Sequence, residues 1–177
     1  MIKHLKYILF FPKIGADMYL THWLLFFKPI RLWFQQKKLK AIGQGSEIRP
    51  FCLIDGTKNV IIGKNVIIPE GTRLVADAND KTAFIIIEDD VLFAPNVAIY
   101  CTTHTYADIS LPIKDQPLKN KTTTIGQGSW IGINSVILPG VTIGKNVVVG
   151  ANSLVKDDVP DYCIVAGTPA KIIKKII

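Results

Sequence analysis

The sequence predicts an all-β fold: a left-handed parallel β-helix of six-residue repeats, with a helical appendage at its N-terminal end. Three observations carry the expectation. An unbroken run of sextets begins at Ile125, the same frame recurs in three upstream fragments, and the charge excess is confined to residues 1–40.

The run from Ile125 reads IGQGSW, IGINSV, ILPGVT, IGKNVV, VGANSL, VKDDVP. Its first position is always aliphatic: Ile125, Ile131, Ile137, Ile143, Val149 and Val155. Its fifth is small or β-branched: Ser129, Ser135, Val141, Val147, Ser153 and Val159. Gly dominates position two, and Gly, Asn or Asp fills position four. The same frame appears at 42–54, 62–74 and 87–99. A helix repeats at 3.6 residues and a simple strand at 2, so six fits neither. Six suits a short strand followed by a tight corner, and three such sides close a triangular coil of about 18 residues. The aliphatic first residue then points inward, while Gly and Asn supply left-handed corner conformations. Coils stack at strand spacing, roughly 4.8 Å. A β-sandwich is disfavoured because its turn signals recur every 8–12 residues or so.

The elements follow in order. Residues 1–40 form a basic amphipathic appendage, residues 41–170 the β-helix, and residues 171–177 a C-terminal tail placed on the coil as a short strand or helix. Within the appendage, Tyr19–Gln36 fits one or two helices, with Leu20, Trp23, Leu24, Phe27, Leu32, Trp33 and Phe34 as apolar positions. Pro29 breaks or starts one of them. The frame is interrupted at 75–86 and again at 100–124. The second excursion is the expected catalytic loop, because long connections in compact domains are usually functional.

Composition narrows the class. A chain of 177 residues with 49% hydrophobic and 20% charged residues is globular and long enough to bury a core. Cys52, Cys101 and Cys163 form no CxxC pair, and their odd number argues against a disulfide framework. Residues 1–40 hold eight basic residues and one acid, a net +7, whereas the basic and acidic residues of 41–177 cancel. The apolar run Tyr7–Phe11 is too short for a signal peptide and ends at Pro12. The run Met18–Phe27 falls short of the roughly 20 residues that span a bilayer. The expected location is cytoplasmic, either free or at the inner face of the membrane.

The sextets, Trp130 in GSWIG, the ILPGVTIG run and the tail VAGTPAKII together resemble the hexapeptide-repeat acyltransferases. The segment LFAPNVAIYCTTHT is similar to the sugar O-acetyltransferase branch, which includes the galactoside and maltose enzymes. The first 40 residues look more like those of bacterial surface-polysaccharide acetyltransferases. The resemblance implies transfer of an acetyl group from acetyl-CoA, the co-substrate, to a saccharide hydroxyl by a homotrimer, with no metal and no covalent enzyme intermediate.

It also implies residue roles. His104 begins the long loop, five residues after the inward Ile99, at the place of the family's general base; imidazole suits a proton acceptor near neutral pH. Asp77 stands where similar enzymes bind the acceptor, and Asp108 and Asp115 share the His104 loop as further acceptor candidates. Asn96 reads as a corner residue. Trp130 packs on the pantetheine arm or on a neighbouring subunit. Gly132, Gly150 and Ala151 would let that arm approach the backbone, and Lys156, Lys171 and Lys174 would meet the phosphates as point charges. A Cys101–His104 nucleophile is disfavoured, since Cys101 sits in a strand-like stretch and the family needs no thiol.

Other functions remain as alternatives. An N-acetyltransferase acting on an amino-sugar would use a similar site, and a non-catalytic β-helix scaffold would need only the fold. A zinc enzyme is disfavoured because His104 is the one histidine of the coil region and zinc needs three or four ligands. The appendage fits three roles: a trimer-packing helix, a peripheral contact with an anionic membrane, or a cap over the open end of the β-helix. Nucleic acid is not expected, because the basic stretch is aromatic-rich and carries no known binding motif.

Overall fold

The computed structural model describes residues 12–15, 23 and 25–177. His4, His22, the apolar run 7–11 and most of the stretch 16–24 lie outside the described residues. The remainder is a left-handed parallel β-helix with three faces. The first face stacks Leu53–Asp55, Arg73–Val75, Ala98–Tyr100, Val136–Ile137 and Leu154–Val155. The second stacks Ala41–Ile42, Val60–Ile62, Ile85–Ile87, Thr123–Ile125 and Thr142–Ile143. The third stacks Glu47–Ile48, Ile67–Ile68, Leu92–Phe93, Trp130–Ile131, Val148–Val149 and Cys163–Gly167.

The register places the repeats' first residues over one another. Ile54, Leu74, Ile99, Ile137 and Val155 form one inward column, and Ile42, Ile62, Ile87, Ile125 and Ile143 another. Nearly all are fully buried. At roughly 1.5–3 kcal/mol per buried aliphatic side chain, these columns are the main source of stability.

The fifth position is buried as well, and its serines bond between coils. Ser129 Oγ donates to Gly144 O (2.8 Å) and accepts from the Val147 N–H (3.0 Å). Ser46 does the same with Gly63 O (2.6 Å) and the Val66 N–H (2.7 Å). The fourth position turns most corners with a positive φ, as at Asn96 (60°) and Asn134 (58°), though Asp158 does not. Two corners depart from the Gly, Asn or Asp pattern: Phe51 adopts φ 65° and Tyr162 φ 58°, costly conformations for bulky side chains.

The N-terminal end is closed by the appendage. Lys13–Ile14 pairs antiparallel with Leu53–Asp55, and helix α1 (Lys28–Lys38) packs on the first coil. Pro29 sits in the first turn of α1, where its missing N–H is harmless. The inward face of α1 differs from the expected one. Leu32 and Trp33 face outward, and Phe34, Gln35 and Lys38 are buried. Arg31, on that same inner side, reaches Glu47 (2.6 Å), Gln35 Nε2 donates to Ile48 O (2.9 Å), and Lys38 Nζ donates to Lys13 O (2.6 Å). These anchors come from polar groups of the first coil and of the Lys13–Ile14 strand, which sequence periodicity in α1 does not reveal. At the opposite end the tail is a strand, Ala170–Lys175, antiparallel to Cys163–Gly167.

Candidate active site

Both excursions leave the same corner region of the prism. The chain departs after Val75 and rejoins at Ile85, then departs after Tyr100 and rejoins at Thr123. The second excursion carries structure of its own. Thr102–His104 pairs antiparallel with Leu118–Asn120, in the register Thr102 to Asn120 and His104 to Leu118. Its tip is held by Gln116, whose Nε2 donates to Asp108 O (2.8 Å) and Leu111 O (3.1 Å) while its Oε1 accepts from the Asp108 N–H (3.2 Å).

The two excursions enclose a cleft of about 450 Å³ lined by residues that include Asp55, Asp77, Asn79, Tyr100, Thr102 and His104. His104 presents an exposed imidazole there, and Asp77 a half-buried carboxylate. The Asp77 carboxylate is oriented from both sides: Oδ1 accepts from the Asn79 N–H (2.9 Å) and Oδ2 from Asn120 Nδ2 (3.0 Å). Asn120 Nδ2 also donates to Asp80 Oδ2 (2.9 Å). One amide therefore bridges two carboxylates of the first excursion while its backbone pairs beside the His104 strand. Asp80 is bonded further by the Thr82 and Ala83 N–H groups and the Thr82 hydroxyl, which hold its carboxyl well below the usual carboxylate range. Asn120, Asp80 and Tyr100 were not among the sequence candidates.

The other candidates are distributed as follows. Asp108 does not line this cleft; it closes a local turn by accepting from the Ser110 hydroxyl (2.6 Å) and N–H (2.9 Å), which lowers its pKa. Asp115 pairs with Lys114 (2.7 Å) and is also outside the cleft lining. Cys101 is buried between the two strands, and burial pushes its thiol up to about 11, so it holds its proton at neutral pH.

On the third face Trp130 is half exposed, stacked between Leu92 and Val148. Gly132 and Gly150 lie where successive coils touch. A Cβ on Gly132 would come within 2.7 Å of Ala151 N and Val149 O, and one on Gly150 within 2.8 Å of the Ala166 Cβ. Packing between coils thus explains both glycines without a ligand. Ala151 is exposed at the adjacent corner. Lys156 binds Asp157 (2.8 Å), and Lys171 also acts on that carboxylate, depressing its pKa together with Lys156. Lys174 stands on the same terminal strand as Lys171, exposed. Lys156 and Lys171 therefore lie together, at the end of the prism opposite α1.

Comparison with known proteins agrees with this architecture. Residues 122–157 match the family described as "Bacterial transferase hexapeptide (six repeats)". The chain is 36% identical over 143 residues to the galactoside O-acetyltransferase of Lactococcus lactis, covering 80% of this chain and 65% of that protein, just under two thirds of its length. It is 34% identical over 154 residues to WbbJ of Escherichia coli, a protein named for O-acetyl transfer in lipopolysaccharide biosynthesis, covering 72% of this chain and 78% of that one. Among solved structures, a galactoside acetyltransferase in complex with coenzyme A superposes with TM-score 0.77 at 31% identity, covering 85% of this chain and 72% of the other. Coils, excursions and relatives agree, and this chain belongs to the hexapeptide-repeat acetyltransferase family.

Proposed function

We propose that the protein transfers the acetyl group of acetyl-CoA to a saccharide hydroxyl, in bacterial surface-polysaccharide biosynthesis. The observation that carries this is the cleft in which two excursions, separated along the chain, bring His104 and an oriented Asp77 to one place. The galactoside and WbbJ relatives support the saccharide acceptor. In this reading Asp77 accepts a hydrogen bond from an acceptor hydroxyl, and His104 removes the proton of the hydroxyl that reacts. That oxygen attacks the thioester carbonyl, the C–O bond forms, and the C–S bond breaks. The thiolate of CoA then takes the proton from the imidazolium, so no group stays on the enzyme. A positioned base of this kind contributes about 10²–10⁴ in rate.

The active unit is a homotrimer. The second excursion projects Tyr106, Ile109, Leu111 and Ile113 into solvent, with Ile109 fully exposed. Large side chains on a protruding arm call for a cover, and a neighbouring prism about a threefold axis provides one. The coenzyme lies in the groove between prisms, with Trp130 along its arm and Lys156, Lys171 and Lys174 toward its phosphates. The test is CoA-thiol release against a panel of sugars, for wild type and His104→Ala. Acceptor-dependent release that falls about 100-fold or more in the variant supports the reading. Undiminished release removes His104 as the base, and no release with any sugar rejects a free-sugar acceptor.

A further inference from the structure

Helix α1 buries polar side chains beside Phe34 while leaving large apolar ones exposed. Gln35 and Lys38 are 0% and 1% exposed, whereas Ile30 and Trp33 are 43% and 49% exposed. Ile30, Trp33 and Lys37 recur at the i, i+3, i+7 spacing that forms one helix face, and Phe26 and Phe27 just before α1 are exposed beside them. Phe26 packs edge-on against Phe51, ring centroids 6.2 Å apart. Phe51 is the corner residue whose φ of 65° is costly for an aromatic side chain. The chain therefore tolerates strain at a corner that presents a ring to this surface.

Charge surrounds the apolar patch. Lys28, Lys37 and Lys58 are exposed at the same end of the prism, and Lys58 Nζ donates to Lys37 O (2.9 Å). The acids of the first coil are already engaged: Glu47 by Arg31 at 2.6 Å and Asp55 by Lys13 at 3.8 Å. The net +7 of the chain resides in residues 1–40. Aromatic and aliphatic side chains ringed by Lys are the composition that seats on the interface of an anionic bilayer. A second copy would bring the same positive charge to the patch; an anionic lipid surface brings the opposite one.

We propose that the capped N-terminal end of the prism, with Ile30, Trp33 and Phe26 inserted and Lys28 and Lys37 against headgroups, docks on an anionic lipid bilayer. The docking itself does not depend on the acyl-transfer reading. If that reading holds, docking serves a lipid-linked saccharide. The cleft lining starts at Asp55 in the first coil and reaches Tyr100 in the third, so the cleft begins on the coil that carries α1 and extends about 10 Å, two coil spacings, away from it.

The test uses the full chain without acetyl-CoA, by co-sedimentation with vesicles of phosphatidylcholine alone and with about one third phosphatidylglycerol. Binding is expected to the mixed vesicles and to fall at high salt, since the attraction is screened. Ile30→Ser with Trp33→Ser is expected to lower partitioning by about tenfold or more, from the lost apolar burial. Lys28→Glu with Lys37→Glu is expected to lower it comparably, and both variants should keep the wild-type melting temperature because these side chains are exposed. The proposal is overturned if wild type stays in the supernatant with anionic vesicles. It is equally overturned if both double variants sediment like wild type, or if Ile30→Ser with Trp33→Ser lowers the oligomer mass, which would assign the patch to a second copy.

Discussion

Gly132→Ala separates two roles for one residue. If the glycine exists to admit the pantetheine arm, the substitution raises the KM for acetyl-CoA and leaves stability alone. The structure assigns it to coil stacking. The added Cβ would meet two backbone atoms of the next coil, Ala151 N and Val149 O, each at 2.7 Å. Val149 O belongs to a hydrogen-bonded ladder in which it accepts from the Gly132 N–H at 2.8 Å. Neither atom can rotate away as a side chain would, so the coils must separate locally. Overpacking of this kind costs about 1–3 kcal/mol. For a domain of this size that lowers the melting temperature by about 2–12 °C. Wild type and Gly132→Ala are compared by thermal and urea denaturation at one protein concentration, because oligomer stability depends on concentration. The acetyl-CoA KM is measured well below both transitions. A variant that melts with wild type but shows a raised KM refutes the packing argument and returns Gly132 to the coenzyme.

Three further outcomes are expected. Asn120→Ala removes the amide shared by Asp77 and Asp80, so the acceptor KM rises while the acetyl-CoA KM holds; steady-state kinetics with each substrate varied separates the two, and equal effects on both would refute the assignment. Asp80 is held ionised by its hydrogen bonds, so its contribution is fully present above the ordinary carboxyl pKa of about 4 and is lost as pH falls through its depressed folded value. The stability difference between wild type and Asp80→Asn in urea titrations should therefore be constant from neutral pH to about 5 and shrink below about 4. Lys38 gives the same direction in an alkaline window: burial lowers its pKa from 10.5 to about 8, so the unfolded chain binds the extra proton between those values and wild-type stability rises with pH across that window relative to Lys38→Met. A flat difference over that range would show that Lys38 is solvated.

The β-helix was legible because its code is local. Each inward residue from Ile42 to Val155 is specified by an aliphatic first position and a left-handed fourth position within the same six residues. The place of His104 beside the cleft was legible for the same reason, as a histidine where the frame breaks. What the sequence did not reveal depends on partners far along the chain. Asn120 finds Asp77 and Asp80 at separations of 43 and 40 residues, and nothing near Asn120 marks it. The inner face of α1 was not legible because Leu32, Trp33 and Phe34 are adjacent and all apolar. The carbonyls of Ile48 and Lys13 and the carboxylate of Glu47 select the Phe34 side. Gly132 and Gly150 invited a ligand explanation because the atoms that crowd them belong to the next coil and lie 15 or more residues away.

The most direct test of the proposed chemistry is to follow isotope-labelled acetyl from acetyl-CoA into product by mass spectrometry and NMR, with polysaccharide-type oligosaccharide and lipid-linked acceptors. The account predicts one labelled acetyl ester on a sugar oxygen, removed by mild base, formed by wild type and depleted about 100-fold or more with His104→Ala. A base-stable acetamide would reassign the acceptor to an amine, and label that appears only as free acetate, or that transfers equally well without His104, would contradict it.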